Sequence, residues 1–497
     1  MESRGVPDGM ARRTFIAASL SGIAAVTLSS CFGPDPSPTR TPSPSPSPTP
    51  IPGVPEPTAM RRSKWATDPF ARGAFSFDAV GSTPELRDAL AEPVSERLVF
   101  AGEACSADSP GTIEGARKSG LRAAAHVMRF GDPEDRVAVI GAGIAGLTAA
   151  RALVEDGFAV VVIEARDRLG GRIHSVDDDE YGGTAEFGAM FVHDVPALEA
   201  ELAAASVDLR PVDPTQLVRT IEGEAVDPSP EGWKAIVEAQ EWARDQPADV
   251  SLADALAGSG IAPLSSEPGA DGVSPADWLR HAFSSGVEPD TGAPSTRVSA
   301  QRFDAEHLAF AASSPVTTAE SSTLVATTPL ADWIDAMAET VEVVLSSVVV
   351  RIAYGDERVS LRLDTGESLN VDRVVVTAPL GVLQTDTIEF EPALPLLHQR
   401  AISGLGMGVV DTVWLAFEEP FWRADAAASV APVFLSLVGE IPTVALWIDA
   451  GAARGTDEPV LVGIIAAGQA RRLETLDDRE FRKAVLPGLE PFARAGG

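Results

Sequence analysis

Cysteine is nearly absent: Cys31 and Cys105 are the only two in 497 residues. Cys31 falls in the leader, so the body keeps a single thiol, and a disulfide-stapled scaffold is excluded. Positive charge is also scarce, with 39 Lys+Arg against 72 Asp+Glu and a formal net charge of −33. A phosphate backbone would be repelled by such a field, which excludes nucleic acid as a partner. The acidity either keeps the surface solvated or steers small cations toward a site. Beyond the leader no apolar run has the length and uniformity of a membrane span, so the body is expected to be soluble. With 45% hydrophobic residues the chain can bury a large core and has room for about two to four domains.

The leader has its own grammar. Arg12-Arg13 precede an apolar run from Phe15 to Leu28, the charged-then-apolar order of an export signal, too short for a span. The paired arginines resemble a twin-arginine signal, which exports proteins already folded around a cofactor. Leu28-Ser29-Ser30-Cys31 resembles the bacterial lipoprotein cleavage box. Cys31 then becomes a lipid anchor; a cleaved signal with an incidental cysteine is the alternative. Residues 34–58 repeat Pro-Ser and Pro-Thr, favour extended polyproline and read as a stalk following a signal over 1–33. Together these features place the body outside the cytoplasm, on the cell surface or periplasmic side, with membrane contact confined to the anchor.

The most informative stretch begins at Arg136. An apolar strand pattern to Ile140 runs into Gly141-Ala142-Gly143-Ile144-Ala145-Gly146 and then a helix pattern to Leu153. Gly141 permits the tight turn, Gly143 lets backbone approach a pyrophosphate, and Gly146 permits close packing, while the helix amino terminus favours an anion. A second strand pattern, Ala159–Ile163, ends at Glu164, placed to accept hydrogen bonds from a ribose. The fold class expected is α/β, with a Rossmann-like dinucleotide-binding domain and an α+β substrate domain.

Which dinucleotide follows from Glu164-Ala165-Arg166-Asp167-Arg168-Leu169-Gly170-Gly171-Arg172. This segment resembles the flavin-containing amine oxidase family, which implies FAD. By the same resemblance Arg166, Gly171 and Arg172 hold pyrophosphate and flavin, and Gly188, Ala189 and Met190 of Glu186–His193 pass beside the flavin ring. His193 is either a polar structural group or a proton-transfer residue. Val349 matches the residue whose backbone meets the adenine.

Residues 61–130 resemble the end of such chains rather than their beginning. Trp65–Phe70, Gly73–Phe77, Leu98–Cys105 and Gly111–Ala116 follow the family's closing series. Glu103 is then a cofactor residue, and the helix opening at Thr112-Ile113 aims its amides at the flavin. A circular permutation accounts for this order; a rearranged gene or a fusion fragment is the alternative. The FAD-binding parts are expected at 61–130, 135–200 and 341–388, and the substrate domain at 201–340 and 389–497. Val341–Ile352 and Val359–Leu363 read as strands, and Asp304–Ala312 and Pro329–Ala338 as helices.

The resemblance implies hydride transfer from an amine or amino acid to flavin, with oxygen as acceptor and peroxide released. A lysine usual in the family falls on Thr412, and the only lysines are Lys64, Lys118, Lys234 and Lys483. Substrate-facing aromatic positions fall on Phe75 and Thr112, which with Thr412 are the catalytic candidates. The site of a covalent flavin linkage falls on Ala74, implying noncovalent FAD. Cys105 reads as a small buried thiol. No metal cluster is expected. A flavin dehydrogenase or desaturase with another acceptor, or a flavin-binding surface protein without turnover, are the alternative functions.

Overall fold

The computed structural model describes residues 53–193, 196–305, 323–423 and 431–493, all within one compact unit. The leader with Cys31 lies outside the described residues.

The front of the chain contributes β1 (Ala59–Arg62), β2 (Leu98–Phe100) and α1 (Ile113–Phe130). α1 begins where Thr112 can cap it, its Oγ1 accepting the Gly115 N–H at 2.9 Å. Its buried face, Ala116, Gly120, Ala123, Ala124 and Val127, recurs at helical spacing and is made of small side chains. Next come β3 (Arg136–Ile140), α2 (Ile144–Glu155) and β4 (Ala159–Ile163), then α3 (Leu330–Ala338), β5 (Glu342–Val344), β6 (Val349–Tyr354) and β7 (Arg373–Val376). These strands form a parallel sheet in the order β5-β4-β3-β7-β2. The continuous apolar runs of β3 and β7 suit strands covered on both faces. α1 and α2 cover one face at close range: a Cβ on Gly120 would meet the Ala145 carbonyl oxygen at 2.3 Å.

The apolar run expected as one strand over Val341–Ile352 is broken. Ser346 takes φ 52°, and the amides of Ser346 and Ser347 bond Arg166 O at 2.7 Å and Glu164 O at 2.8 Å. Backbone pairing with 164–166 competes with strand continuity and wins, and the detour carries Val349 to the cavity described below. Val359–Leu363 is a strand, and the helix read from Pro329 starts one residue later with Pro329 as its cap. Of Asp304–Ala312, Asp304 and Ala305 are not helical, and the rest lies outside the described residues.

A second sheet is built on β8 (Val410–Ala416) and β9 (Val460–Ala466), followed by α4 (Ala467–Glu474). Its order is β1, β8, β9, Leu446–Asp449, Phe434–Val438, Gln216–Thr220 and Ala225–Val226. β1 pairs antiparallel with β8, Ala59 opposite Ala416 and Arg62 opposite Val413. Side chains alternate along β8. Val410, Trp414 and Ala416 join a core with Ala185 and Phe187, whereas Val413 and Leu415 join another with Trp447, Leu473 and Phe481. Thr412 therefore shares the face of Val410 and Trp414, and Asp411 faces the opposite way.

Candidate functional site

A cavity of about 1010 Å³ runs from the β3–α2 turn to β8. One end is backbone. Gly141 holds φ +105°, and a Cβ on it would meet Thr377 Oγ1 at 2.6 Å, so glycine is required there. Gly146 lies behind the turn, where a Cβ would meet Gly141 O at 1.9 Å, and it does not line the cavity. Gly143 differs: a Cβ there would find no neighbour closer than 3.9 Å, and it is the N-cap of α2 with no side-chain cap. The first amides of α2 are thus left open beside a cradle that any side chain would fill.

Glu164, at the end of β4, is buried and fixed by backbone donors: Ala142 N–H reaches Oε2 at 2.7 Å and Arg166 N–H reaches Oε1 at 2.8 Å. The segment after it folds against the glycine turn, with Gly170 N–H donating to Ala142 O at 2.9 Å. Gly188 permits a second strand of backbone to lie on this one, since a Cβ would collide with Arg172 O at 1.9 Å. Gly171, Arg172, Gly188, Ala189 and Met190 consequently line the same wall.

The front segment supplies the facing wall. Arg166 makes a two-pronged ion pair with Asp68 at 2.7 and 2.9 Å, and Arg172 donates to Ala74 O at 2.9 Å and Glu103 Oε1 at 2.8 Å. Glu103 also accepts from Ser76 Oγ at 2.6 Å and Gly111 N–H at 2.9 Å. Burial raises this carboxyl, but the Arg172 charge, the Ser76 hydroxyl and Arg87 more than offset that and hold it below its ordinary range. Arg166 and Arg172 are therefore charge-compensated before any ligand arrives, by acids the local motif does not contain.

The structure gathers nearly every residue singled out from sequence. Gly141, Gly143, Glu164, Arg166, Gly171, Arg172, Gly188, Ala189, Met190, Val349, Glu103, Thr112, Ile113, Phe75 and Thr412 all line the cavity. Gly146 supports it from behind. Thr112 spends its hydroxyl on α1, donating to Ser109 O and accepting from Gly115, both at 2.9 Å. Thr412 Oγ1 is buried and has no hydrogen-bond partner, at the end of the cavity shared with Val410 and Ile464. The side chain of His193 lies outside the described residues. Cys105 is buried away from the lining, and burial pushes its thiol up to about 12. Among the described residues no cluster of metal ligands occurs. Trp65 and Arg72, also in the wall, and Asp68, the ion-pair partner of Arg166, carry no role in the sequence reading. The pairing of Asp68 with Arg166 spans 98 residues, a distance over which no local pattern reveals it.

The profile of the family described as flavin containing amine oxidoreductase matches residues 46–128 and 144–494. Polyamine oxidase 4 of Oryza sativa subsp. japonica is 28% identical over 374 residues, 71% of this chain and 72% of its own. Lysine-specific histone demethylase 2 of Homo sapiens is 28% identical over 373 residues, covering 71% of this chain and 43% of its own. A solved structure of putrescine oxidase bound to putrescine superimposes with a TM-score of 0.55 at 22% identity, covering 73% of this chain and 83% of that one. At that identity the likeness speaks for the fold.

Proposed function

Because this chain belongs to the flavin-containing amine oxidoreductase family, we propose that it oxidises a small amine or amino acid with noncovalently held FAD, oxygen serving as acceptor and leaving as peroxide. The observation that carries this reading is one cavity joining the open α2 terminus and Glu164 to an end walled by Phe75 and Thr412. The residues fit the cofactor: Gly143 leaves a cradle for phosphate, α2 amides face it, and Glu164 is held ready for ribose hydroxyls. Ala74 and the remote Cys105 support noncovalent attachment.

When bound, FAD supplies the hydride acceptor. The chain does the remainder. Phe75 and Met190 give an apolar wall that excludes water and turns the substrate carbon toward the ring position. Thr412 Oγ1, uncharged and unpartnered, can hold a water at that end, available to hydrolyse the imine that hydride loss leaves. The names of polyamine and putrescine oxidase among its relatives support an aliphatic di- or polyamine as the substrate class. Thr412 also favours a second reading, a dehydrogenase with another acceptor, since it offers no positive charge where oxygen would be reduced.

Two further points belong to the same proposal. The front segment is the family's closing segment moved forward: β1 pairs with β8, β2 completes the parallel sheet, and Gly53 lies against Ala493, 3.8 Å from a Cβ built on it. The leader exports the chain, and Cys31 anchors it to the membrane. Spectroscopy tests the chemistry. Purified without added flavin, residues 53–497 should be yellow, lose colour on anaerobic addition of a di- or polyamine, and release peroxide on re-aeration. Bleaching without peroxide selects the dehydrogenase; a colourless soluble protein overturns both readings.

A further inference from the structure

Behind Thr412, on the opposite face of β8, two buried carboxylates meet the front segment. Asp411 Oδ1 accepts the Ser63 hydroxyl and the Trp65 N–H, each at 2.9 Å. Glu474, at the end of α4, accepts the Ala66 and Thr67 amides at 2.7 Å each. Ser63 Oγ in turn accepts the Thr412 N–H at 2.9 Å. Four donors of one short turn, residues 63–67, are thus gripped by two acids that lie more than 340 residues further along the chain.

The grip is incomplete in one respect. Asp411 Oδ2 is buried and has no hydrogen-bond partner, and the gap it shares with Glu474 is too small to admit a water molecule. Two ionised carboxylates facing one another across such a gap would repel in a low dielectric, with no donor between them. A single proton on Oδ2 removes the repulsion and supplies the missing donor. Among the described residues no nearby cation takes its place. Arg62, which lines the gap, is committed to Leu473 O at 2.9 Å, Leu476 O at 2.6 Å and Asp478. Lys64 on the turn, Arg471 and Arg472 on α4, and Asp478 on the following helix are exposed.

We propose that Asp411 and Glu474 are positioning residues that share one proton and hold the Trp65–Asp68 turn in place, and through it the front wall of the cavity. Trp65 lines that wall, and Asp68, three residues on, carries the ion pair to Arg166. Losing the proton charges both acids and loosens the turn. Burial, and then the neighbouring Glu474, push the Asp411 carboxyl from 3.8 up to about 8. The folded chain therefore keeps a proton that the unfolded chain has released. The stabilisation is fully present below about 4 and is lost as pH rises toward 8.

The test compares the purified full chain with Asp411→Asn and Glu474→Gln across pH 4 to 9. Asn keeps an acceptor for Ser63 and Trp65 and offers Glu474 a permanent donor. The wild-type Tm should fall by several degrees relative to Asp411→Asn as pH rises to 8 and then run parallel to it. Glu474→Gln, which loses an acceptor beneath the turn, should release bound flavin several-fold faster while Asp411→Asn retains it. Infrared difference spectra of the wild type should lose a protonated-carboxyl band as pH passes 8, a band that Asp411→Asn lacks at any pH. Parallel Tm curves throughout, or an infrared band untouched by the substitution, overturn the proposal. The Tm and infrared readings do not require flavin, so their failure is distinct from failure of the proposed chemistry.

Discussion

At the scale of single residues, the two glycines Gly143 and Gly146 separate folding from binding. A Cβ at Gly146 would sit 1.9 Å from Gly141 O, and backbone cannot yield as a side chain can. Gly146→Ala should therefore cost about 1–3 kcal/mol of stability, read as a lowered Tm. Gly143 has φ −78° and ψ 176°, a conformation β-branched residues favour, with no backbone clash nearby. Gly143→Val should fold with a Tm close to wild type and purify without flavin. A yellow Gly143→Val would show that the cradle is not the phosphate site. The glycines, Glu164 and the arginines after it were legible in sequence because a dinucleotide turn is a local device, its parts within about thirty residues. Asp411 and Glu474 were not, since a lone carboxylate in an apolar strand or at a helix end carries no sign of what it will face.

At the scale of elements, the front segment and the β3–α2–β4 unit are joined by buried charge as much as by apolar packing. Glu103 is the hub, with Arg172, Ser76 and Gly111 all directed at its carboxylate. Replacing it leaves the partly buried Arg172 without its acid, which is expected to cost about 3–5 kcal/mol. Because Glu103 titrates below its ordinary 4.5 in the folded chain, its contribution is present above that value and lost as pH falls. The Tm gap between wild type and Glu103→Gln should thus be widest near neutrality and narrow below pH 4.5; a gap independent of pH would mean packing, not charge, is what Glu103 provides. Sequence pattern located β3, α2 and β4 well. It failed at Val341–Ile352, a largely apolar stretch whose Ser346-Ser347 pair makes a turn. The amides of Ser346 and Ser347 bond the 164–166 backbone, and that tertiary demand overrides strand propensity.

At the scale of the whole molecule, chain order and spatial order disagree. β1 and β2, early in sequence, occupy sheet edges completed by strands that follow hundreds of residues later. Pairing of this kind is slow, because loop closure precedes any contact that rewards it. Yet the order itself is not demanded by the packing. Gly53 and Ala493 are neighbours, Arg482 reaches Glu56 at 3.6 Å, and Pro133 and Glu134 sit exposed between α1 and β3. Exposed joints and adjacent ends are where connectivity can be rewired without disturbing a core. A rearranged chain that begins at Glu134 and carries residues 54–133 after residue 493 through a short glycine linker should fold to the same cavity. Its Tm should lie within a few degrees of the original, and it should retain flavin equally. The contacts of α1 with α2 would then become the distant ones, and those of β1 with β8 nearer in sequence, so the order in which the two sheets form should reverse in a refolding experiment monitored at Trp333, packed on the parallel sheet, and Trp414 of β8. An insoluble or colourless rearranged chain would show instead that the forward placement of this segment is required for folding and is not an interchangeable connection.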